Sequence, residues 1–384
     1  MECRSILIYL LVFLTTIFLT YLWENILDNH NRFKKEKKVI PVMIILLPCI
    51  LASLRDVTVG TDVRGYLIPN FQIALTCDTF NEFLLMQKNK LEVGFNLLIY
   101  LGAMFKSLWV TFFLIEFMIV VPVLYVLYRI RERASMTIGM IIFLFLFYNF
   151  SLSGMRQSVA MSLLLLFVYF FKSTSYGYGL IFGVLSFLFH KSAIIFMVIF
   201  MGCYALYLCI REKEDWSIYA VIIFSLFTMI FYFYDLFANV IADILFYIHP
   251  RYSYYIKHFL EVYQGIKWEN IYLTDLLCKT TLVVAFYSCF KYKSIINSEV
   301  KFMLLLMAIG RFIVVFNSRF YEAMRMSIYF DYLYILFLPI CKECCKDRLD
   351  EIVAISFVFI CCVAYWLKFI IINGGYGTNI YVFC

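Results

Sequence analysis

The stretch that decides the fold runs from Tyr148 to Ala160 and reads Tyr-Asn-Phe-Ser-Leu-Ser-Gly-Met-Arg-Gln-Ser-Val-Ala. It is a polar break between two apolar segments, and Arg156 stands at its centre. Placing an arginine at the centre of a bilayer costs on the order of 2.5 to 3.5 kcal/mol by insertion scales. Free backbone and polar groups at membrane depth also need protein or water around them. Either Arg156 snorkels to the interface, or the break forms the floor of a site that contains a partner or a ligand.

The composition of the whole chain is that of a polytopic membrane protein. Of its 384 residues, 64% are hydrophobic and 15% are charged, and the mean hydropathy of +0.87 excludes a soluble domain with a polar surface. The net charge of +7 falls in short clusters between apolar runs, as topology signals do, so we expect no nucleic acid partner. Cys341 and Cys344 have a C-x-x-C spacing, but no second pair or nearby histidine completes a zinc site, so we expect no metal and no cofactor.

Apolar runs and basic clusters predict an all-α protein with about twelve transmembrane helices in a single transmembrane domain, residues 1–384. A lysine-rich cluster follows the first run, Ile6 to Trp23, and the positive-inside rule places such clusters in the cytoplasm. The next strong cluster, residues 129–133, should also be cytoplasmic, which requires an odd number of crossings before it. The run from Phe95 to Phe105 has about eleven residues, short of the ~20 that a spanning helix needs. We therefore expect residues 71–105 to be external, part amphipathic helix and part re-entrant, and residues 235–273 to form a larger external loop.

Counting membrane crossings in this way places a set of cations on the external face of the membrane. The positive-inside rule disfavours cations on that face. Each lies within a few residues of a predicted helix end. A shared functional demand explains such a set, because the planar guanidinium binds phosphate bidentately and stays charged. The set predicts an anionic ligand that arrives from the bilayer, such as a lipid-linked phosphate or pyrophosphate. Its members are Arg55, Arg64, Arg156, His190, Arg251, Arg319 and Arg325.

Two positions in this set have a second interpretation. Arg319, Glu322 and Arg325 are spaced by three residues and could form an i, i+3 ion pair at a helix end. His190 closes an apolar run and could cap a helix or be solvated. Because histidine titrates near neutral pH, it is also the readiest general base among the candidates.

Asp62 is the acidic candidate. It follows Gly60 and Thr61 in a loop that we expect to turn tightly. It either pairs with Arg55 or Arg64, or it serves as a base.

Four short motifs occur in order along the chain. They are Arg-x4-Gly-Thr-Asp-x3-Tyr from Arg55 to Tyr66, Met-Arg-Gln-x2-Ala from Met155 to Ala160, Phe-His-Lys-Ser-Ala from Phe189 to Ala193, and Arg-x5-Arg from Arg319 to Arg325. Together they resemble the Wzy-type polysaccharide polymerases of the EpsG branch, over residues 1 to about 340. The family usually has an aromatic residue after Gly-Thr-Asp, where this chain has Val63, and residues 374–384 carry no motif of the resemblance.

The resemblance implies a multi-pass glycosyltransferase of the bacterial inner membrane whose active site faces the periplasm. Its substrate would be an oligosaccharide repeat unit carried on undecaprenyl pyrophosphate, in O-antigen or capsule assembly and so in lipopolysaccharide biosynthesis. Residues 55–105 and 235–273 would then be periplasmic. Expected partners are the lipid-linked glycan and membrane lipid, with a chain-length regulator and a flippase as candidates.

The chemistry of the candidate residues suggests a role for each in such a reaction. Arg156, with Arg319 or Arg325, would hold the pyrophosphate, and His190 or Asp62 would orient or deprotonate the acceptor hydroxyl. The remaining candidates for substrate binding are Arg55, Arg64, Gln157, Arg251 and Glu322. Two other classes compete: a flippase or exporter of the same lipid-linked sugar, which should line a central cavity with cations, and a membrane acyltransferase with a cytosolic acyl-CoA entrance.

Overall fold

The computed structural model of the protein describes residues 2–28, 36–87, 91–210, 272–293, 296–318 and 323–384, with isolated residues between 224 and 243. Its regular structure is helical, and we number the helices in chain order. They are α1 Glu2–Asp28, α2 Glu36–Ser53, α3 Ile68–Ala74, α4 Phe80–Met86, α5 Val93–Met104, α6 Leu108–Ile130, α7 Met136–Ser153, α8 Met155–Lys172, α9 Tyr176–Phe189, α10 Ala193–Ile210, α11 Leu273–Tyr292, α12 Ser298–Val315, α13 Ala323–Cys344 and α14 Arg348–Ile372.

Seven helices among the described residues are long and apolar enough to cross a membrane. Shorter apolar helices, among them α5 and α9, accompany them. The prediction of an all-α, polytopic membrane protein is therefore confirmed. The number of twelve spans stays a prediction, because most of the expected span from Ser217 to Tyr234 lies outside the described residues.

The described residues separate into two compact units, and the prediction of one transmembrane domain over residues 1–384 stays untested. The first unit comprises residues 1–197, 284–293 and 332–384, and the second comprises residues 198–283 and 294–331. In the first unit, the segment expected to be external folds into the short helices α3, α4 and α5. The larger loop expected at 235–273 lies, apart from single residues, outside the described part of the chain.

The basic clusters of the first unit meet at one end of its helices. Arg129, near the end of α6, donates to the hydroxyl of Tyr169 near the end of α8 (Nε–OH 3.1 Å). Arg133 pairs with Glu343, with 2.5 Å between Nε and Oε1. With 18 residues, α8 is about 27 Å long. Arg156, at the start of α8, therefore lies at the opposite end of the first unit from this basic end.

The polar break is a junction of one residue between two helices. Helix α7 ends at Ser153, α8 begins at Met155, and only Gly154 lies between them. The Gly154 amide donates to the Phe150 carbonyl (2.7 Å), and the Ser158 amide donates to the Gly154 carbonyl (2.9 Å). These bonds complete the last turn of α7 and the first turn of α8 on either side of Gly154. The chain can therefore reverse direction between two long buried helices without a loop.

The C-terminal tail, residues 373–384, packs against the loop formed by residues 54–60. The Asp56 amide donates to the Val382 carbonyl (2.8 Å), and the Gly60 amide donates to the Gly377 carbonyl (3.1 Å). The side chain of Tyr9 on α1 donates to the backbone of the same tail. The tail, for which the sequence offered no motif, is thus the support of the Gly-Thr-Asp loop.

Gly60 is required where this loop meets the end of α7. Its φ is +97°, in the left-handed region that residues with a Cβ rarely adopt. A Cβ at this position would lie 2.4 Å from the Leu152 carbonyl oxygen. Only glycine allows the loop to lie this close to the helix junction.

We predict that Gly60→Ala destabilises the protein by roughly 1–3 kcal/mol, the usual cost of a strained backbone conformation. Gly65→Ala is the matched control, since a Cβ at Gly65 meets nothing within 4 Å. Thermal unfolding of the detergent-solubilised protein measures the difference. Equal melting temperatures for the two variants would contradict the close approach of the loop.

Four residues of the second unit, Asp275, Lys279, Arg311 and Asp331, form a buried charge cluster. Lys279 Nζ lies 2.5 Å from Asp275 Oδ1 and 3.0 Å from Asp331 Oδ2. Arg311 Nη1 lies 3.0 Å from Asp275 Oδ2, and its Nη2 contacts Asp331. All four side chains are at most 8% exposed. Two cations and two anions thus balance in an apolar interior, where an unpaired charge is costly.

We predict that Asp331→Asn, which leaves a surplus cation in this cluster, lowers the free energy of unfolding by about 3–5 kcal/mol. Glu132→Gln is the control, because its pair with Arg131 (3.9 Å) is exposed and such pairs contribute about 0–1 kcal/mol. Denaturant or thermal unfolding in detergent compares the two. If Asp331→Asn lost no more unfolding free energy than the control, the four side chains would not form a balanced charge cluster.

Candidate functional site

Five polar side chains contact one another where the polar break meets the surrounding helices. We call them the junction cluster, and they belong to the end of the first unit opposite the basic end. Their contacts form the chain His190, Glu92, Arg156, Tyr66 and Asp62.

Arg156 is the centre of the junction cluster. It is the second residue of α8, so its backbone lies at a helix N-terminus, where the helix dipole favours anions. Its Nη1 donates to Glu92 Oε2 at 2.8 Å, and its Cζ lies 4.5 Å from the centroid of the Tyr66 ring. The side chain is 23% exposed. The guanidinium is therefore held on two sides and still open to solvent.

Glu92 precedes α5 and lies between Arg156 and His190. While Oε2 accepts from Arg156, Oε1 lies 3.4 Å from Nδ1 of His190 and 3.4 Å from the Lys191 amide nitrogen. Only 9% of the side chain is exposed. Burial raises the pKa of Glu92, but the contact with the His190 ring and the charge of Arg156 outweigh it, and the pKa falls to about 2. Glu92 is thus an ionised, enclosed carboxylate.

His190 and Asp62 occupy opposite ends of the junction cluster. His190 directly follows α9, and its amide donates to the Ser186 carbonyl (3.0 Å), which fixes the position of the ring at the helix end. Asp62 accepts a hydrogen bond from the Tyr66 hydroxyl at 3.1 Å. The π-helical turn Val63–Leu67, which follows Asp62, orients the two side chains toward each other.

Arg55 supports the junction from inside the protein. It is only 2% exposed, its Nη1 donates to the Leu152 carbonyl (2.9 Å), and its Cζ lies 4.2 Å from the Phe112 ring centroid. It thereby binds a carbonyl in the last turn of α7, where intrahelical partners are lacking. The predicted pairing of Arg55 with Asp62 is wrong, because the two side chains bind these other groups.

The other predicted site residues lie in different surroundings. Arg64 is exposed on the same π-helical turn as Tyr66, and Gln157 is buried in the first turn of α8. Arg325 is exposed near the start of α13, in the second unit. Arg251, Arg319 and Glu322 lie outside the described residues. The binding roles of all these residues stay predictions.

Sequence reasoning missed two acidic residues near the junction. Glu92 stands directly before the apolar run of α5, and Glu116 lies within α6. Glu116 is 1% exposed and accepts a hydrogen bond from Ser151 (Oγ–Oε2 2.9 Å). An acid inside a membrane span is by default a candidate for function, and that signal could have found Glu116. The signal for Glu92 is weaker, since acids commonly precede helices.

A family model described as the EpsG family matches residues 38–383. The match begins at α2 and continues through the C-terminal tail, so it extends beyond the limit of about 340 that the motifs had suggested. No curated protein matches the chain. No solved structure matches it either.

We predict a pH dependence of stability that depends on Glu92. Its pKa is about 2 in the folded protein against an ordinary value of 4.5, so its contribution is fully present above about pH 4.5 and is lost as the pH falls toward 2. By linkage the contribution is on the order of 3 kcal/mol. As the pH is lowered from 5 to 3, the melting temperature of Glu92→Gln should therefore fall less than that of the wild type.

Glu82→Gln is the control for this measurement. Glu82 lies in the first turn of the neighbouring helix α4 and binds the Asp78 amide, outside the junction cluster. The melting temperature of Glu82→Gln should fall with pH as much as that of the wild type. Parallel pH profiles for the wild type and Glu92→Gln would contradict the ion-pair environment of Glu92.

Proposed function

The chain belongs to the EpsG family, and from that premise we propose that it polymerises oligosaccharide repeat units carried on undecaprenyl pyrophosphate. Family membership supports a polysaccharide polymerase-like, glycosyltransferase-like role. The lipid-pyrophosphate donor is our proposal, as is the place of the reaction in O-antigen or capsule assembly. The acceptor is a hydroxyl of a sugar on a second lipid-linked chain.

The observation that carries this proposal is the position of Arg156. Its guanidinium is attached to the N-terminal turn of an 18-residue helix, is partly open to solvent, and is paired with a carboxylate. Arginine binds carboxylates and phosphates with the same planar fork. A phosphate group can therefore use the position that a carboxylate already occupies, with the helix dipole adding to the attraction.

In the proposed reaction Arg156 holds the donor pyrophosphate and stabilises the charge that develops as the anomeric C–O bond breaks. The remaining candidates for contacts to the pyrophosphate or glycan are Arg55, Arg64, Gln157, Arg251, Arg319, Glu322 and Arg325. His190 or Asp62 takes the proton of the attacking hydroxyl. Pyrophosphate is already a good leaving group, so the scheme requires no metal ion.

Localisation follows from charge asymmetry. The positive-inside rule assigns the basic end of the first unit to the cytoplasm. The junction cluster, at the opposite end, then faces the periplasm of a bacterial inner membrane. We propose that lipid-linked substrate reaches it from the outer leaflet after a flippase has delivered it, and a chain-length regulator is a further candidate partner.

We predict that Arg156→Ala and Arg156→Lys lower the rate of polymerisation by about 10²–10³, the usual cost of removing one preorganised charge-stabilising group. Lysine keeps the charge but lacks the planar fork. Arg129→Lys, at the basic end, is the matched control and should leave the rate unchanged. Gel analysis of the polymer ladder, at equal protein level, reads out the effect. A complete ladder from either Arg156 variant would refute the assignment.

Deleting the gene separates this function from the alternative, a flippase or exporter of the same lipid-linked sugar. Loss of a polymerase leaves single repeat units on the cell surface, because transport continues. Loss of a flippase leaves none. The second outcome would overturn the proposal.

A further inference from the structure

Glu92 has no role in the scheme above, yet it makes the closest polar contact of Arg156. Its two carboxylate oxygens face different groups: Oε2 lies 2.8 Å from Arg156 Nη1, and Oε1 lies 3.4 Å from His190 Nδ1. The carboxylate is 91% enclosed, since only 9% of the side chain is exposed. One carboxylate thus connects the proposed anion-binding group with the proposed base.

A carboxylate and a pyrophosphate compete for one guanidinium. Both are anions, and arginine binds both through the same N–H groups. Glu92 cannot keep its 2.8 Å contact with Arg156 while a pyrophosphate takes that position, because like charges at this distance repel strongly. Donor binding must therefore displace the Glu92 carboxylate from Arg156.

Resting on the proposed function, we propose that Glu92 is a resident anion that occupies the pyrophosphate position of Arg156 until the donor arrives, and then serves as the positioning residue of His190. Before binding, it neutralises and holds a guanidinium that is costly to leave unpaired. After binding, its contact with His190 Nδ1 remains. In this proposal the carboxylate moves closer to Nδ1 than its present 3.4 Å and accepts the proton of that nitrogen in a hydrogen bond, so that Nε2 is the ring nitrogen that takes the hydroxyl proton.

Tyr66 explains how Arg156 stays in place during the exchange. The guanidinium lies over the Tyr66 ring, 4.5 Å from its centroid, so one face is held by a cation–π contact that does not use the N–H groups. The Tyr66 hydroxyl is itself held by Asp62 (3.1 Å). Asp62 therefore orients Tyr66, and His190 is left as the base.

The transfer step balances as follows. The acceptor hydroxyl oxygen forms a bond to the anomeric carbon, and the bond from that carbon to the pyrophosphate oxygen breaks. The electron pair of the broken bond leaves with the pyrophosphate, whose added charge faces Arg156. The hydroxyl proton passes to His190 Nε2, and the Glu92 carboxylate stabilises the resulting imidazolium, as an acid does for histidine in catalytic triads.

The test is the affinity of the purified full-length protein for farnesyl pyrophosphate, a soluble lipid pyrophosphate, with farnesol as the probe that lacks the pyrophosphate. If Glu92 competes for Arg156, Glu92→Gln binds farnesyl pyrophosphate at least about tenfold more tightly than the wild type, because an anionic competitor is gone. The same variant should lose polymerisation. If Glu92 merely supported Arg156 structurally, binding would weaken with polymerisation, and unchanged or weaker binding overturns the inference.

Two further variants keep the outcomes distinct. Glu92→Ala removes the carboxylate altogether, so it should also bind more tightly than the wild type. It replaces Glu92→Gln if that variant is not monodisperse. Arg156→Ala should abolish binding: normal binding by this variant would refute the pyrophosphate site of the proposed function itself. Loss of binding by Arg156→Ala together with weaker binding by the Glu92 variants would refute only the role of Glu92.

Discussion

A guanidinium at the junction of two buried helices must have a counter-charge, and much of the first unit is arranged around that requirement. Arg156 obtains its counter-charge from Glu92, 64 residues earlier in the chain. Glu92 in turn contacts His190 at the end of α9. The ion pair thereby connects the start of α5 with the start of α8, in surroundings where separating the charges is costly, and the contact with His190 adds the end of α9.

The loop that carries the Gly-Thr-Asp motif is positioned by packing rather than by charge. Gly60 lets its backbone lie against the end of α7, and the C-terminal tail binds the other side of the loop through backbone hydrogen bonds. The buried Arg55 side chain stabilises the same end of α7 by donating a hydrogen bond to the Leu152 carbonyl. Val63, which follows Gly-Thr-Asp, is fully buried, and Tyr66 provides the ring over which Arg156 lies.

Reasoning from the sequence found the correct class of fold, and three of its candidate site residues lie in one cluster. Counting crossings between basic clusters grouped Arg156, His190 and Asp62 at one end, and the junction cluster contains all three. The same reasoning did not show that Arg55 is buried, because a cation after an apolar run has the same sequence pattern whether it reaches solvent or binds a helix end. It overlooked Glu92, and also the charge cluster of the second unit, because both depend on partners far apart in the chain.

That the protein is helical and spans a membrane can be read from its composition and short-range periodicity, which are local properties, as can the positions of charged residues at helix ends. Which polar groups meet depends on the folded arrangement: Glu92 contacts Arg156 and His190, Asp62 contacts Tyr66, and Arg55 binds the end of α7. Ion pairs and hydrogen bonds act over a few ångströms, and the packing of helices distant in the chain sets those distances.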